Sequence, residues 1–286
     1  MRILLTGRNG QVGSALQRSL APLGEVAAFD RKGFDLSRPN QLAKIIGDIR
    51  PAIIVNAAAY TAVDRAEQEK DIAFEVNFQG VKELAREAGS IDALLIHFST
   101  DYVFDGEKRS PYVETDTPNP LSVYGQSKLE GERAIAASGC RHFVFRTSWV
   151  YAPGGRNFVH AILAAAKTSP ELRVVNDQRG APTSSAAIAG AIAGILSSPV
   201  VLKKPDGIYH LSAAGETTWY EFAREIVAQK GLRTPVIPVS SAEYVTAARR
   251  PKNSLLDNSK LRATFGISLA DWRQGFRDIS SKIDAI

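Results

Sequence analysis

The sequence predicts a doubly wound α/β fold, in which helices cover a parallel sheet and a smaller C-terminal substrate-binding lobe follows. In the first half, short apolar runs alternate with amphipathic segments, as in repeated βαβ units. A glycine-rich loop directly follows the first apolar run, as in dinucleotide-binding folds. Beyond residue 149 the alternation becomes less regular, which indicates a change in organisation.

Five short apolar runs are the strand candidates of this sheet. They are apolar at successive positions, as expected for strands that are buried on both faces. The runs are 3–5, 26–29, 53–56, 94–99 and 143–146. Between them, apolar residues recur with helical spacing most clearly over 71–88 and 124–137. In the second half we expect helices over 158–167 and 186–196 and a strand over 208–211.

The chain is expected to divide near residue 150. Residues 1–150 would form a dinucleotide-binding, Rossmann-like domain. Residues 151–286 would form mainly a substrate-binding lobe that returns a strand or a helix to the first domain. The run Pro153-Gly154-Gly155 interrupts the chain at this junction.

Composition limits the possible partners. The net charge of +5 and pI near 9.3 come from scattered basic residues without a nucleic-acid-binding motif, so this positive field suits small anionic ligands. A single cysteine, Cys140, excludes an intramolecular disulfide and favours a reducing compartment. No apolar run reaches the roughly 18 residues of a membrane helix, and the N-terminal run is too short for a signal peptide. We therefore expect a cytoplasmic protein that binds neither nucleic acid nor membrane.

The glycine-rich loop is the first candidate binding site. Gly7, Gly10 and Gly13 form a G-x-x-G-x-x-G pattern between the first strand and the first helix. Gly7 would allow the turn, Gly10 would let a phosphate approach the backbone, and Gly13 would permit close helix packing. The backbone amides of Gln11 and Val12 would then face a pyrophosphate group.

The end of the second strand bears on the choice of dinucleotide. Asp30 can accept hydrogen bonds from the adenosine ribose hydroxyls, which favours NADH. Arg31 and Lys32 follow directly, and either could neutralise the additional phosphate of NADPH. A solvated turn that binds neither is a third possibility. The cofactor is therefore NADPH or NADH, with the choice open.

A tyrosine and a lysine are the candidate catalytic pair. Tyr124 and Lys128 lie four positions apart, on one face of a predicted helix. A nearby ammonium would favour the phenolate and assist acid–base chemistry near neutral pH. Thr100, at the end of a strand, could hydrogen-bond a substrate carbonyl. Asn77 would extend a water-linked proton relay behind Lys128, or would simply bond to backbone groups.

Taken in order, these motifs resemble the extended short-chain dehydrogenases, and closely the dTDP-4-dehydrorhamnose reductases. The resemblance covers essentially the whole chain. It is carried by Gly7 to Gly13, Ser99-Thr100-Asp101-Tyr102, Ser122-Val123-Tyr124-Gly125, Arg146-Thr147-Ser148-Trp149, Gly180-Ala181-Pro182-Thr183 and Arg250-Pro251-Lys252-Asn253.

The resemblance implies reduction of a dTDP-linked 4-keto-6-deoxy sugar, namely dTDP-4-dehydro-L-rhamnose, to dTDP-L-rhamnose. Tyr124 would donate the proton, Lys128 would support it, and Thr100 would position the keto oxygen. Asp101 and Trp149 would contact the substrate.

The resemblance also implies residues beyond this centre. The segments around Gln178 and Arg250 would close over the nucleotide diphosphate. Further residues would contact the cofactor, with the last two near the adenine: Ala59, Tyr60, Thr61, Asp35 and Leu36.

Assembly and two alternative functions remain open. Some members of the family resemble metal-bridged dimers that use carboxylates in two helices, but 14–16 and 184–194 contain none here, and the four histidines are dispersed. We therefore expect no metal, and a monomer or a metal-independent dimer. The alternatives are a reductase of another dTDP-4-keto-6-deoxy sugar and a non-catalytic NADP-binding regulatory subunit, similar to the partner of methionine adenosyltransferase. The intact set of Thr100, Tyr124 and Lys128 argues against the regulatory subunit.

Overall fold

The computed structural model describes residues 1–198, 201–203 and 206–283. Its α-helices are α1 (Gln11–Leu20), α2 (Pro39–Ile49), α3 (Val63–Ala66), α4 (Lys70–Phe74), α5 (Gly80–Ser90), α6 (Val123–Ala137), α7 (Phe158–Thr168), α8 (Ser185–Ser197), α9 (Trp219–Gln229), α10 (Ser259–Phe265) and α11 (Trp272–Ser280). Its strands are β1 (Arg2–Thr6), β2 (Glu25–Phe29), β3 (Ile53–Asn56), β4 (Leu94–Thr100), β5 (His142–Thr147), β6 (Val150–Tyr151), β7 (Leu172–Val175), β8 (Arg179–Gly180), β9 (Thr183–Ser184), β10 (Gly207–His210), β11 (Thr217–Thr218) and β12 (Val236–Val239).

The main sheet has six parallel strands in the order β10-β5-β4-β3-β1-β2. β1 pairs with β2 on one side and with β3 on the other, so Thr6 lies opposite both Phe29 and Asn56. The strand order reverses direction here, and in such sheets a ligand crevice opens beyond the carboxyl ends of the strands. The predicted doubly wound parallel sheet is confirmed, and each predicted strand lies within one residue of its expected ends.

Side chains of each central strand enter two different cores, which is why the strands are apolar throughout. Ile3 and Leu5 of β1 pack with Leu16 of α1 and with α8 on one face. Leu4, between them, packs with α2 and α5 on the other face. Helices on both faces remove every inner strand position from water, as expected for a parallel sheet.

The helix predicted over 71–88 is not one continuous α-helix. A π-helical turn, Glu75–Gln79, separates α4 from α5. The buried Asn77 lies in this turn, and π turns inside helices frequently occur at functional sites. The apolar spacing predicted helical structure over 71–88, but such spacing does not distinguish one wider turn within it.

The second half of the chain contributes to two parts of the molecule. β10 joins the edge of the main sheet beside β5, with Gly207 opposite Phe143, and α8 packs on the same face as α1. α10 packs in the same core as β10, whereas α7, α9 and α11 surround a separate core that includes Phe222, Trp272 and Phe276. The division into 1–150 and 151–286 remains a prediction, and 199–200, 204–205 and 284–286 lie outside the described residues. In the described part of the chain, no helix is long and apolar enough to cross a membrane.

Candidate active site

A cleft of about 1250 Å³ lies along the carboxyl ends of the main-sheet strands. Ligand pockets for single small molecules are usually about 300–1,000 Å³, so this cleft has room for a dinucleotide and a second ligand. Most of the residues predicted for the site line it: Gly7, Gly10, Gln11, Val12, Asp30, Asp35, Leu36, Ala59, Tyr60, Thr61, Thr100, Asp101, Tyr124, Lys128 and Trp149. Gly13, Asn77, Gln178 and Arg250 do not belong to its lining.

The glycine loop fits a phosphate group because side chains are excluded from it. Gly7 has a φ of +71°, and a Cβ on it would lie 2.7 Å from the backbone of Ala57. A Cβ on Gly13 would lie 2.0 Å from the carbonyl oxygen of Gly7, so Gly13 serves close packing rather than direct lining. α1 begins after Gly10 without a side-chain cap. Its first backbone amides are therefore available to an anion, as the dinucleotide interpretation requires.

The turn after β2 leaves cationic groups on the rim of the cleft. Asp30 Oδ1 accepts hydrogen bonds of 3.1 Å from the backbone amides of Lys32 and Gly33. These amides, with Arg8 3.9 Å from the other carboxylate oxygen, hold the pKa of Asp30 below its usual value despite partial desolvation. Arg31 and Lys32 line the same rim. Part of the hydrogen-bonding capacity of Asp30 is thus occupied by its own turn.

Asp35 also folds its own loop. Its Oδ1 accepts from the backbone amide and the hydroxyl of Ser37, at 3.1 and 2.8 Å, and Arg31 lies 3.6 Å from Oδ2. Desolvation raises the pKa of Asp35, but these donors outweigh it and the net pKa is lowered. The adjacent Leu36 is buried at the cleft wall. Both residues line the cleft, and their contact with the adenine remains a prediction.

Asn77 fastens the loop after β3 instead of contacting Lys128. Its Oδ1 accepts from the amide of Tyr60 at 2.9 Å, and its Nδ2 donates to the carbonyl of Tyr60 and to the hydroxyl of Ser127, both at 3.0 Å. The side-chain amide is therefore used within the protein and bonds in part to backbone groups, while the water-linked relay behind Lys128 remains a prediction. Asn77 thus holds the backbone at Tyr60, which lines the cleft, although Asn77 itself does not line it.

Tyr124 stands at the start of α6, at the base of the cleft. Burial, followed by the Asp101 carboxylate, raises the pKa of Tyr124, while hydrogen bonding with Thr100 opposes this. Desolvation and Asp101 therefore dominate the pKa of Tyr124 in this structure, and the shift toward the phenolate by Lys128 remains a prediction. Thr100 donates to Asp101 Oδ1 at 3.1 Å, which joins the two residues beside the phenol.

Lys128 is almost completely buried, with 2% of its surface exposed. Its Nζ donates to the carbonyl oxygen of Phe98 at 2.7 Å and lies 3.0 Å from Nε2 of His97. Burial lowers the pKa of Lys128 to about 8, with Glu132 acting in the opposite direction. Sequence reasoning gave His97 no part in the site; its only signal was a polar residue within an apolar strand.

The substrate residues expected from the resemblance are only partly brought together. Trp149 lines the cleft and stacks on Trp219, with ring centroids 3.6 Å apart. A Cβ on Gly180 would lie 2.4 Å from the Trp149 ring, so that glycine makes room for it. Gln178 donates to the hydroxyl of Ser241 at 3.0 Å and has no place in the cleft lining.

Arg250 likewise lies outside the lining of the cleft. Its guanidinium donates to both carboxylate oxygens of Asp64, at 2.7 and 3.1 Å, and also to Thr246. This pairing ties the segment before Pro251 to α3. In this structure Arg250 therefore holds two chain segments together.

Asp101 is a further buried titratable group of the site. Burial raises its pKa to about 6, although hydrogen bonds from Ser254 and Thr100 favour the carboxylate. A group with this pKa changes charge near neutral pH, so the field at Tyr124 depends on pH.

Metal ligands are a separate question. Across 1–198, 201–203 and 206–283, no group of three or more His, Cys, Asp or Glu side chains is placed to hold a metal ion. α1 and α8 pack against one another, and neither has an acidic residue in its sequence.

Comparisons with known proteins identify the family and agree with the fold. The family model of the RmlD substrate binding domain matches residues 1–284. A dTDP-4-dehydrorhamnose reductase of Burkholderia thailandensis is 45% identical over 96% of each chain, and one of Escherichia coli is 44% identical over 99% of this chain and 98% of its own. The crystal structure of a dTDP-4-dehydrorhamnose reductase from Bacillus anthracis in complex with NADP has a TM-score of 0.92, with 36% identity over 97% of each chain. The chain therefore belongs to the dTDP-4-dehydrorhamnose reductase family.

Proposed function

We propose that this chain reduces the 4-keto group of dTDP-4-dehydro-L-rhamnose with NADPH or NADH, giving dTDP-L-rhamnose for cell-surface polysaccharide synthesis. The observation that carries the proposal is a single cleft in which Thr100, Tyr124 and Lys128 stand beside a glycine loop that fits a dinucleotide. The names of the most similar relatives support the same substrate.

The cofactor binds through backbone groups at one end of the cleft and, when bound, supplies the hydride. Gly7 and Gly10 allow its pyrophosphate to approach the first turn of α1. Arg31 and Lys32 stand on the rim, while Asp30 is already engaged by its own turn. This arrangement favours NADPH over NADH, because an additional phosphate meets cationic groups there.

Tyr124 provides the proton that the keto oxygen needs as the carbonyl carbon is reduced. Its raised pKa keeps the phenol protonated at neutral pH until that oxygen gains negative charge. The hydroxyl of Thr100 is next to this group and orients the carbonyl by turning its hydrogen from Asp101 Oδ1 to the keto oxygen. Lys128, held from beneath by Phe98 and His97, presents its remaining hydrogen-bonding capacity to the cofactor ribose.

The sugar nucleotide occupies the opposite part of the cleft. Asp101 and Trp149 line it there and contact the sugar or the base. Contact from Gln178 and Arg250 requires that each exchange its present partner, Ser241 or Asp64, for the diphosphate. In this proposal, 1–150 binds the dinucleotide and 151–286 mainly closes the substrate side.

The proposal is tested by presenting the purified protein with NADPH and several dTDP-4-keto-6-deoxy sugars. We expect reduced-nicotinamide absorbance to fall fastest with dTDP-4-dehydro-L-rhamnose, and dTDP-L-rhamnose to be the product. Faster turnover of another sugar would reassign the substrate. Binding of NADPH without turnover of any sugar would instead indicate the regulatory subunit.

Assembly and location complete the proposal. We place the protein in the cytoplasm, in keeping with its single, buried cysteine.

The protein acts as a monomer or a metal-independent dimer, because α1 and α8 contain no carboxylate for a bridging magnesium ion. Light scattering and turnover should be unchanged by EDTA. Dissociation by EDTA that magnesium reverses would contradict this assignment.

A further inference from the structure

A row of buried polar side chains crosses the main sheet beneath the cleft. Lys128 Nζ lies 3.0 Å from His97 Nε2, and His97 Nδ1 lies 2.9 Å from Asn56 Nδ2. Asn56 Oδ1 in turn accepts from the hydroxyl of Thr6 at 2.6 Å. Strand register places these residues side by side, since His97 pairs with Asn56 and Asn56 with Thr6. The row therefore links the lysine of α6 to the residue that precedes the glycine loop.

The direction of these hydrogen bonds follows from the groups around Asn56. The backbone amide of Ala58 can only donate, and it lies 3.2 Å from Asn56 Oδ1. With the hydroxyl of Thr6 also donating to that oxygen, the amide nitrogen of Asn56 must face His97. His97 Nδ1 is then an acceptor, and a neutral ring carries its hydrogen on Nε2.

That tautomer determines which protonation state of Lys128 fits beside it. A hydrogen on Nε2 points at Nζ, and an uncharged amine has the lone pair to accept it. An ammonium group has no acceptor, so two donors would face each other there. The carbonyl oxygen of Phe98 accepts from Nζ in either state and does not discriminate between them.

We propose that His97 is a positioning residue for Lys128: held by Asn56 with its hydrogen on Nε2, it donates to Nζ and favours the uncharged amine. Lys128 can thus release its proton within the cleft at a small cost in free energy, because the uncharged amine that remains accepts a hydrogen bond from His97. The catalytic benefit of this hydrogen bond rests on the proposed reduction, but the hydrogen bond itself does not require substrate.

The surrounding charges are consistent with this role. His97 is fully buried, and desolvation followed by the charge of Lys128 lowers the pKa of His97 well below its usual value. On α6, Glu132 favours charged Lys128, but its carboxylate is paired with Arg146 of β5 at 2.6 Å. Tyr102, Tyr124 and Asp101 are further titratable groups that line the cleft with Lys128. The side chains that β1, β3 and the π turn contribute to this region are Thr6, Asn56 and Asn77, which do not titrate.

Histidine ¹⁵N NMR on the intact protein tests the tautomer without needing turnover. We expect the His97 ring at about pH 9, above the Lys128 pKa of about 8, to show a protonated Nε2 and an unprotonated Nδ1, with the signals assigned by their loss in His97→Asn. A ring protonated on Nδ1, or on both nitrogens, would overturn the proposal. An inactive protein with the expected tautomer would count against the proposed function alone.

Asn56→Asp provides the matched perturbation. Its carboxylate still accepts from Thr6 and Ala58 but also takes a hydrogen from His97 Nδ1, so Nε2 becomes an acceptor for ammonium. The Lys128 pKa, followed by NMR of ¹³Cε-labelled lysine, should rise by about one unit or more, the scale of one charge-assisted hydrogen bond.

The same substitution in a His97→Asn background distinguishes the effect of the His97 ring on the Lys128 pKa from the effect of the added negative charge. There the new carboxylate adds the same charge, but no ring reaches Lys128, so the rise should fall to less than half. Equal rises in both backgrounds would overturn the role of His97. Circular dichroism and NADPH titration verify that each variant is folded, and the tautomer measurement on the unaltered chain stands even if a variant is not.

Discussion

The two ends of the cleft are built in different ways. At the proposed cofactor end, the backbone from 7 to 13 forms a loop that excludes side chains, since a Cβ on Gly13 would lie 2.0 Å from the carbonyl oxygen of Gly7. At the catalytic end, buried side chains meet from strands and helices far apart in the chain. Lys128 and His97 are 31 residues apart, and His97 and Asn56 are 41 apart. The first end should therefore control binding, and the second should control protonation and turnover.

The largest expected effect separates these two ends. Tyr124→Phe should lower turnover by roughly 10²–10⁴-fold, the usual contribution of a positioned proton donor. NADPH affinity should change little, because only a hydroxyl at the catalytic end is removed. Steady-state kinetics and an NADPH titration on the same preparation measure both quantities. Near-normal turnover in the folded variant would remove Tyr124 from the mechanism.

Asp101 gives the catalytic end a measurable pH dependence of stability. Its pKa is raised from 3.8 to about 6, so the native state retains a proton that the unfolded chain releases as pH rises between these values. The wild type should therefore lose about 2 kcal/mol of unfolding free energy relative to Asp101→Asn between pH 4 and pH 7.

Urea unfolding of both proteins at the two pH values measures this difference. Asp48→Asn, which removes an exposed carboxylate from α2, is the control. A difference between wild type and Asp101→Asn that does not change with pH would show that Asp101 ionises as freely in the folded protein as in the unfolded chain.

The cofactor end should respond to an added methyl group. Gly13→Ala should weaken NADPH binding by about 10–100-fold, the equivalent of the 1–3 kcal/mol that overpacking costs. Gly47→Ala in α2 is the matched control, because its Cβ would meet no atom within 4 Å. Equal affinities in the two variants would mean that the loop tolerates side chains and is not a fitted phosphate site.

The smallest effect concerns the choice of dinucleotide. Replacing Arg31 and Lys32 together with alanine should weaken NADPH binding by about 10-fold, as expected when a charge-assisted contact to phosphate is lost. NADH binding should be nearly unchanged, because the carboxylate of Asp30 is retained. Equal losses of affinity for NADPH and NADH would show that Arg31 and Lys32 have a structural role and do not contact the additional phosphate.

The same contrast explains what could be predicted from the sequence. The strands and the glycine loop depend on neighbouring residues and a repeating pattern, so their positions were predicted to within one residue. The π turn at Asn77 could not be seen because it changes no apolar spacing. The effect of burial on Tyr124 and the link from Lys128 to His97 depend on tertiary packing, which local motifs do not encode.

The placement of Gln178 and Arg250 was also beyond sequence reasoning. The motifs around both residues resemble the family, yet their side chains pair with Ser241 and Asp64 outside the cleft lining. A motif identifies a segment, whereas the direction of a side chain depends on which partner lies within reach.

The most direct test of the whole account follows a labelled hydride. NADPH carrying deuterium at the transferred position is mixed with the protein and dTDP-4-dehydro-L-rhamnose in a single turnover, and the product is examined by NMR. The account predicts dTDP-L-rhamnose with deuterium at C4 of the sugar and loss of reduced-nicotinamide absorbance in equal amount. Unchanged NADPH bound to the protein, or deuterium at any other carbon, would contradict it.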